Sequence, residues 1–257
     1  MNPHVYLIGS GPGDPELLTL KALRLLQEAD VVLHDALVSP AILALAPQAK
    51  LWDVGKRADG RSMKQTEINQ RLLLAAQQFT KVVRLKGGDP LLFARAQEEL
   101  DALSQARIPC TIVPGITAAQ AAYAALQKPM SLRGAQRSVV LTTPCVGNEE
   151  EYNLDWARPL IAARNGAVYM AAKQAHRIES TLLALGLASD TPVAWVIAAS
   201  TPAQTIVRST LGQLAQQCPR TDLPVLLLLG QQLCEQGKVQ EFCDLRPKKV
   251  QYESETN

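Results

Sequence analysis

The chain has 257 residues, a length that suits two modest domains or one large α/β unit. Hydrophobic residues make up 47% and charged residues 19%, so there is material for a buried core and no case for global disorder. A net charge of +2 gives no reason to expect a nucleic-acid partner, although a local basic surface for an acidic small molecule remains open.

Val5-Tyr6-Leu7-Ile8 is a short apolar run ending in a glycine-rich turn, which predicts a buried strand. Apolar residues then recur at helical spacing from Leu17 to Leu26, with Asp14 placed to cap the helix and Pro15 to open it. Val31-Val32-Leu33 predicts a second strand, Glu67 to Phe79 a helix, Lys81 to Leu85 a third strand stopped by Gly87 and Gly88. A helix over Gln97 to Ala106 and a strand over Thr111 to Val113 complete the first half. This alternation favours a parallel sheet with helices on its faces. After Pro114 and Gly115 the pattern restarts, with strands predicted at Ser138 to Thr142, Gly166 to Met170, Pro192 to Ile197 and Leu223 to Leu229. The clearest helices between them are Arg177 to Leu185 and Leu211 to Gln217. The expected organisation is an N-terminal α/β domain over residues 1–116, a C-terminal α/β domain over 117–247 and a polar tail over 248–257.

The five cysteines, Cys110, Cys145, Cys218, Cys234 and Cys243, include no Cys-x-x-Cys pair and read as packed thiols of a reducing compartment. His4, His34 and His176 are far apart, and no metal site is expected. There is no basic segment followed by an apolar leader and no apolar run long enough for a bilayer, so a soluble, cytoplasmic protein without a membrane partner is expected.

Four features could carry chemistry. Gly9-Ser10-Gly11-Pro12-Gly13-Asp14-Pro15 follows a strand and opens a helix, where glycines allow a tight turn and close approach of a ligand. Pro12 removes a backbone donor, the Gly-x-Gly-x-x-Gly spacing is broken, and Asp14 would repel a pyrophosphate, so a phosphate cradle is rejected. Lys86-Gly87-Gly88-Asp89-Pro90 ends another strand, the usual place of a ligand crevice in open α/β sheets. Each loop alone could be a plain turn; together they suggest a shared crevice. Asp35, just after the second strand, can serve as a base or simply cap a turn. Lys56, Arg57, Arg84, Lys86, Arg95, Arg133 and Arg137 form a set of cations, some solvated and some suited to a polyacidic substrate.

In order, these pieces resemble the tetrapyrrole methylase family from about Val5 to Gly230. The long runs GSGPGDPELLTLKALRLLQEADVV and VVRLKGGDP carry most of the resemblance, with weaker support from Met130 to Val140 and Pro192 to Val196. The resemblance implies two α/β domains with S-adenosyl-L-methionine (SAM) in the cleft between them, a homodimer, and S-adenosyl-L-homocysteine as product. Positions matching the family's SAM contacts are Pro12, Gly87, Gly88, Asp89, Leu92, Thr117, Ala118 and Met170, with Ala199 where the family usually has glycine. Asp35 matches the position of a proton acceptor and Lys56 that of a proton donor, while Arg95, Glu98 and Arg133 match positions that hold or deprotonate substrate. The implied substrate is uroporphyrinogen III, methylated on two pyrrole carbons to precorrin-2, a precursor of sirohaem and cobalamin. The mechanism implied is direct attack by an electron-rich pyrrole carbon, which makes orientation and proton relay the protein's tasks.

The departures from the family pattern lie on the substrate side. Ala36 stands in place of an arginine, Leu132 in place of a histidine, and Thr143-Pro144-Cys145 in place of Thr-Gly-His. Phe93-Ala94-Arg95-Ala96-Gln97-Glu98-Glu99 keeps its charges but replaces three glycines with larger residues, which is expected to narrow the pocket. SAM binding is therefore the firmer expectation. Methylation of another corrin intermediate or of a protein side chain, and ligand binding without catalysis, remain open at this point.

Overall fold

The computed structural model describes residues 2–55, 63–133, 136–144 and 153–234. Strands β1 (His4–Gly9), β2 (Val31–His34), β3 (Lys50–Asp53), β4 (Lys81–Lys86) and β5 (Cys110–Val113) form one sheet in the order β3-β2-β4-β1-β5. Every pairing in it is parallel. Strands β6 (Val140–Thr142), β7 (Asn165–Val168), β8 (Pro192–Ile197), β9 (Thr205–Thr210) and β10 (Val225–Gly230) form a second sheet in the order β6-β7-β10-β8-β9. Here only β6 and β7 run parallel, and the other pairings are antiparallel. The helices are α1 (Leu20–Gln27), α2 (Pro40–Leu43), α3 (Gln65–Gln78), α4 (Ala96–Gln105), α5 (Ala118–Ala125), α6 (Arg158–Ala163) and α7 (Ala175–Ala184). No described helix is long and apolar enough to cross a membrane.

Alternation along β4 explains the first sheet. It is buried from Val82 to Lys86, as a strand covered on both faces must be. Val83 and Leu85 point to one face, where Ile8 and Val32 meet Ala22, Leu25 and Leu26 of α1. Val82 points to the other, where Val5 and Leu33 meet Ile68, Leu72 and Leu103 of α3 and α4. Period two places Arg84 and Lys86 on that second face as well. The second sheet is also covered twice. Trp195, Leu227 and Leu229 pack with Leu160, Ile178 and Leu182 of α6 and α7. Ala194, Val196 and Leu228 pack with Ala119, Ala122 and Tyr123 of α5.

The predicted parallel sheet holds for the first half. In the second half the strands predicted at Pro192 to Ile197 and Leu223 to Leu229 form, but as neighbours running antiparallel. Strands β3 and β9 were not predicted: β3 is a short edge with three exposed positions, and β9 is polar at Thr205, Arg208, Ser209 and Thr210. The helix expected from Pro15 is two elements. Asp14 Oδ1 accepts from Glu16 N at 2.9 Å and caps one turn of 3₁₀ helix over Pro15–Leu17. The chain then extends, and Thr19 starts α1 afresh by accepting from Ala22 N at 3.1 Å. The helix predicted over Leu211 to Gln217 is a 3₁₀ turn at Leu211–Gln213. The strand predicted to reach Met170 stops at Val168, and Met170 takes φ +55°.

Burial in the second half has a consequence for stability. The Tyr123 phenol, buried against β7, is pushed up from 10.0 to about 12 by desolvation. The fold thus favours the neutral phenol, a contribution complete below pH 10 and lost as pH rises from 10.0 to about 12. The urea midpoint of the wild type should fall across that window more steeply than that of Tyr123→Phe; parallel curves would contradict the assignment.

Candidate functional site

The carboxyl ends of β1, β4 and β5 meet at three glycines. A Cβ on Gly9 would lie 2.6 Å from Gly88 O, and one on Gly115 would lie 2.4 Å from the same oxygen. Only glycine lets these three backbones cross so closely. Gly11 and Gly88 exchange backbone hydrogen bonds of 3.1 and 2.8 Å, and Ser10 N donates to Lys86 O at 2.8 Å. The two glycine-rich loops are therefore one structure. Asp89 fixes its rim: Oδ1 accepts from Leu91 N at 2.7 Å and Oδ2 from Gly115 N at 2.9 Å. Above Gly88, at φ +68°, a Cβ would meet nothing within 4 Å.

The second half closes on this crevice from two directions. Gly13 abuts the turn after β8, where a Cβ would lie 2.5 Å from Thr201 Cγ2, and Asp14 N donates to Ser200 Oγ at 3.2 Å. Ala198 and Ser200 hold φ +47° and +63° in that turn. Tyr169, after β7, reaches the start of α5: its hydroxyl pairs with Thr117 Oγ1 at 2.5 Å and accepts from Ala119 N at 3.2 Å. Burial raises the Tyr169 phenol, which keeps it a neutral hydrogen-bonding group. The Phe93 ring lies 5.1 Å from the Tyr169 ring, joining the loop after β4 to the second sheet. Pro12, Gly87, Gly88, Asp89, Leu92, Thr117, Ala118, Met170 and Ala199, far apart in sequence, thus lie on or directly beside segments that contact one another where the two sheets meet. Strained backbone concentrates here, since Phe93, Arg95, Met170, Ala198 and Ser200 are all non-glycine residues with positive φ.

Asp35 stands at the end of β2. Its backbone carbonyl closes a turn with Val38 N at 3.2 Å, while its carboxylate accepts from Arg84 Nη2 at 2.5 Å. Arg84 is 1% exposed and Asp35 26%. Arg84 Nε continues to Glu99 Oε1 at 3.1 Å, and Lys86 Nζ donates to the same oxygen at 2.8 Å. Gln65 Nε2 is a third donor to it at 3.3 Å, and Glu99 Oε2 is buried without a partner among the described residues. Burial first, and Arg84 second, lower the Lys86 ammonium from its ordinary 10.5. Arg84 and Lys86 are therefore not cations of the mouth, as their sequence positions suggested. Period two on β4 turns them inward, toward α3 and α4. The sequence reading missed Glu99 in return. Its signal was a carboxylate on the apolar stripe Ala96, Glu99, Leu103 of α4, positions that share one helix face.

Arg95 and Glu98 stand at the start of α4 as an exposed two-bond pair, Nε to Oε1 and Nη2 to Oε2, both 2.7 Å. Arg133 is exposed beyond Leu132. Lys56 and Arg57 lie outside the described residues, as does Cys145. The three larger residues of the altered loop, Ala94, Ala96 and Gln97, do not hold positive φ; their neighbours Phe93 and Arg95 do, so loss of glycine at those three positions adds no backbone strain. The same holds for Ala199.

Parallel sheet, glycine crossing and a second, mixed sheet packed against it define a two-sheet α/β protein with a glycine-lined junction between its halves. A profile of the Tetrapyrrole (Corrin/Porphyrin) Methylases matches residues 4–215, and the chain belongs to that family. It is 43% identical over 233 residues to a uroporphyrinogen-III C-methyltransferase of Pseudomonas aeruginosa, covering 90% of this chain and 94% of that one. It is 44% identical over 229 residues to a siroheme synthase of Zymomonas mobilis, covering 88% of this chain but only 48% of that protein. The chain thus spans about half the length of the siroheme synthases it matches. Among solved structures, a uroporphyrin-III C-methyl transferase from Thermus thermophilus complexed with S-adenosyl homocysteine superposes with TM-score 0.79 at 38% identity, covering 90% of this chain and 98% of that one.

Proposed function

We propose that this chain transfers methyl groups from SAM to two pyrrole carbons of uroporphyrinogen III, yielding precorrin-2, and does so as a cytoplasmic homodimer. The observation that carries the reading is the convergence of both glycine-rich loops, α5 and the turn after β8 on one opening, together with 43% identity to a protein of that name over nearly its whole length. The residues present fit SAM. The space above Gly88 is one a side chain would fill. SAM supplies an electrophilic methyl group; the chain's own residues must hold the pyrrole carbon in line with it and relay a proton. In this reading Pro12, Gly87, Gly88, Asp89, Leu92, Thr117, Ala118, Met170 and Ala199 seat SAM. Asp35 accepts the proton and Lys56 donates one. Arg95 and Arg133 engage the substrate's acetate and propionate groups, and Glu98 helps to hold or deprotonate the substrate. In this reading the domains divide as residues 1–116 and 117–247, and 248–257, read from the sequence as a polar tail, lies outside the described residues.

Anaerobic incubation with SAM and enzymatically generated uroporphyrinogen III, read by product mass, is expected to add two methyl groups. No addition by protein that binds SAM would overturn the substrate. Ala36 and Leu132, where an arginine and a histidine are usual in the family, favour a later corrin intermediate as the second reading, and a panel of porphyrinoid substrates separates the two. Arg133→Ala should raise KM for the tetrapyrrole by roughly tenfold or more, the worth of a charge-assisted hydrogen bond, and leave SAM affinity intact. Equal loss of both would remove Arg133 from the substrate side.

A further inference from the structure

The second half contains a buried network of uncharged polar side chains that the methyl transfer does not use. Asn165, at the start of β7, is fully buried. Its Nδ2 donates to Met130 O at 2.7 Å and to Ser138 O at 3.1 Å. One amide therefore holds both ends of the excursion from 130 to 138 that separates α5 from β6. Within that excursion Leu132 and Gln136 exchange backbone hydrogen bonds of 3.0 and 2.8 Å. Gln136 Nε2 then donates to Gln232 Oε1 at 2.7 Å. Gln232 Nε2 donates in turn to Tyr123 Oη at 3.0 Å and to Asn165 Oδ1. Tyr123 Oη donates to Asn165 Oδ1 at 3.0 Å, closing the circuit.

Arg133, next to Leu132, is carried by this pinned segment and is itself exposed. The segment's first residue, Met130, packs in the same core as Ala118, Tyr169 and Ala199, which border the crevice. Apolar side chains would fill such a core at lower desolvation cost. Buried amides with linked partners instead select one arrangement of the chain. A guanidinium that grips a carboxylate through two parallel bonds tolerates little displacement, so the arrangement selected here matters to binding.

We propose that the Asn165–Gln232–Gln136 chain is a positioning device that fixes Arg133 for a carboxylate of the tetrapyrrole, setting substrate affinity without touching substrate. It rests on the assignment of Arg133 to the substrate side. The test is a double-mutant cycle of Gln136→Leu with Arg133→Ala, read by KM for uroporphyrinogen III and by the quenching Kd of the oxidised porphyrin, uroporphyrin III. Gln136→Leu is expected to weaken both about tenfold, keep SAM affinity within about twofold, and add nothing further in the Arg133→Ala background. Additive effects, or a matching loss of SAM affinity, overturn the proposal and leave a purely structural role. An Arg133→Ala protein with unchanged porphyrin affinity overturns the assignment of Arg133 and this inference with it. An effect of Arg133→Ala without one of Gln136→Leu overturns the inference alone. Should leucine unfold the segment, Gln136→Asn, which keeps the amide but shortens its reach, takes its place in the same cycle.

Discussion

Replacing Gly88 by phenylalanine is expected to abolish SAM binding in a protein that still folds. Gly88 sits at φ +68°, where any L side chain costs about 1–2 kcal/mol, a penalty alanine and phenylalanine share. A Cβ there meets nothing within 4 Å, so alanine fits without a clash. The two differ only in what projects into the opening. Gly88→Ala should therefore keep SAM affinity within about tenfold, and Gly88→Phe should lose roughly 100-fold or more, about 2.7 kcal/mol of binding free energy. Isothermal titration of the folded variants decides it, and retained affinity in Gly88→Phe would place SAM elsewhere. The neighbouring glycines provide the contrast. At Gly9 and Gly115 the added carbon would strike Gly88 O at 2.6 and 2.4 Å, so there the damage falls on the fold itself.

The second large effect is expected at Glu99. Its carboxylate is 0% exposed and faces two buried cations, Arg84 and Lys86, from a single oxygen. Glu99→Leu leaves those cations with Asp35 as their remaining anion within the cluster. Breaking a buried ion pair from one side costs about 3–5 kcal/mol, and urea denaturation at neutral pH should show a loss of that size. Lys86 supplies an internal control. Its ammonium is already lowered from 10.5 by burial and by Arg84, and without Glu99 it would be shed more readily still. A lysine with a lowered folded pKa is a burden below that pKa, relieved as pH rises toward 10.5. The loss in Glu99→Leu should accordingly shrink with rising pH, and shrink again in a Lys86→Met background. A loss below about 1 kcal/mol at neutral pH would show that the cluster holds little of the fold together.

The cluster also bears on mechanism. Asp35 is proposed as proton acceptor, yet its carboxylate is held by Arg84, which is held by Glu99 in turn. The orientation of the Asp35 carboxylate is thus set from the core side of the first sheet. In sequence, Asp35, Arg84 and Glu99 belong to three unrelated elements, and nothing in their spacing announces a chain of contacts.

By itself the sequence determined the elements whose pattern is local. Continuous apolar runs gave β1, β2, β4 and β8, and helical spacing gave α3, α4 and α7 to within two residues at each end. Glycine after a strand marked both loops of the crevice, because a backbone that must turn tightly or be approached closely leaves that trace in residue type. Tertiary structure alone decided the rest. Alternation on β4 turned Arg84 and Lys86 into the core, a consequence of having helices on both faces of the sheet. The short edge β3 and the polar edge β9 form because a partner strand offers hydrogen bonds, not because their residues call for a strand. The break of the first predicted helix at Leu18 and Thr19 is local by contrast: Thr19 caps α1 through Ala22, a signal the unbroken apolar pattern hid. Crossing of three backbones at Gly9, Gly88 and Gly115, and the tie of Met130 and Ser138 to Asn165, depend on contacts between residues far apart in the chain. Burial and partner, not residue type, fix what such side chains do.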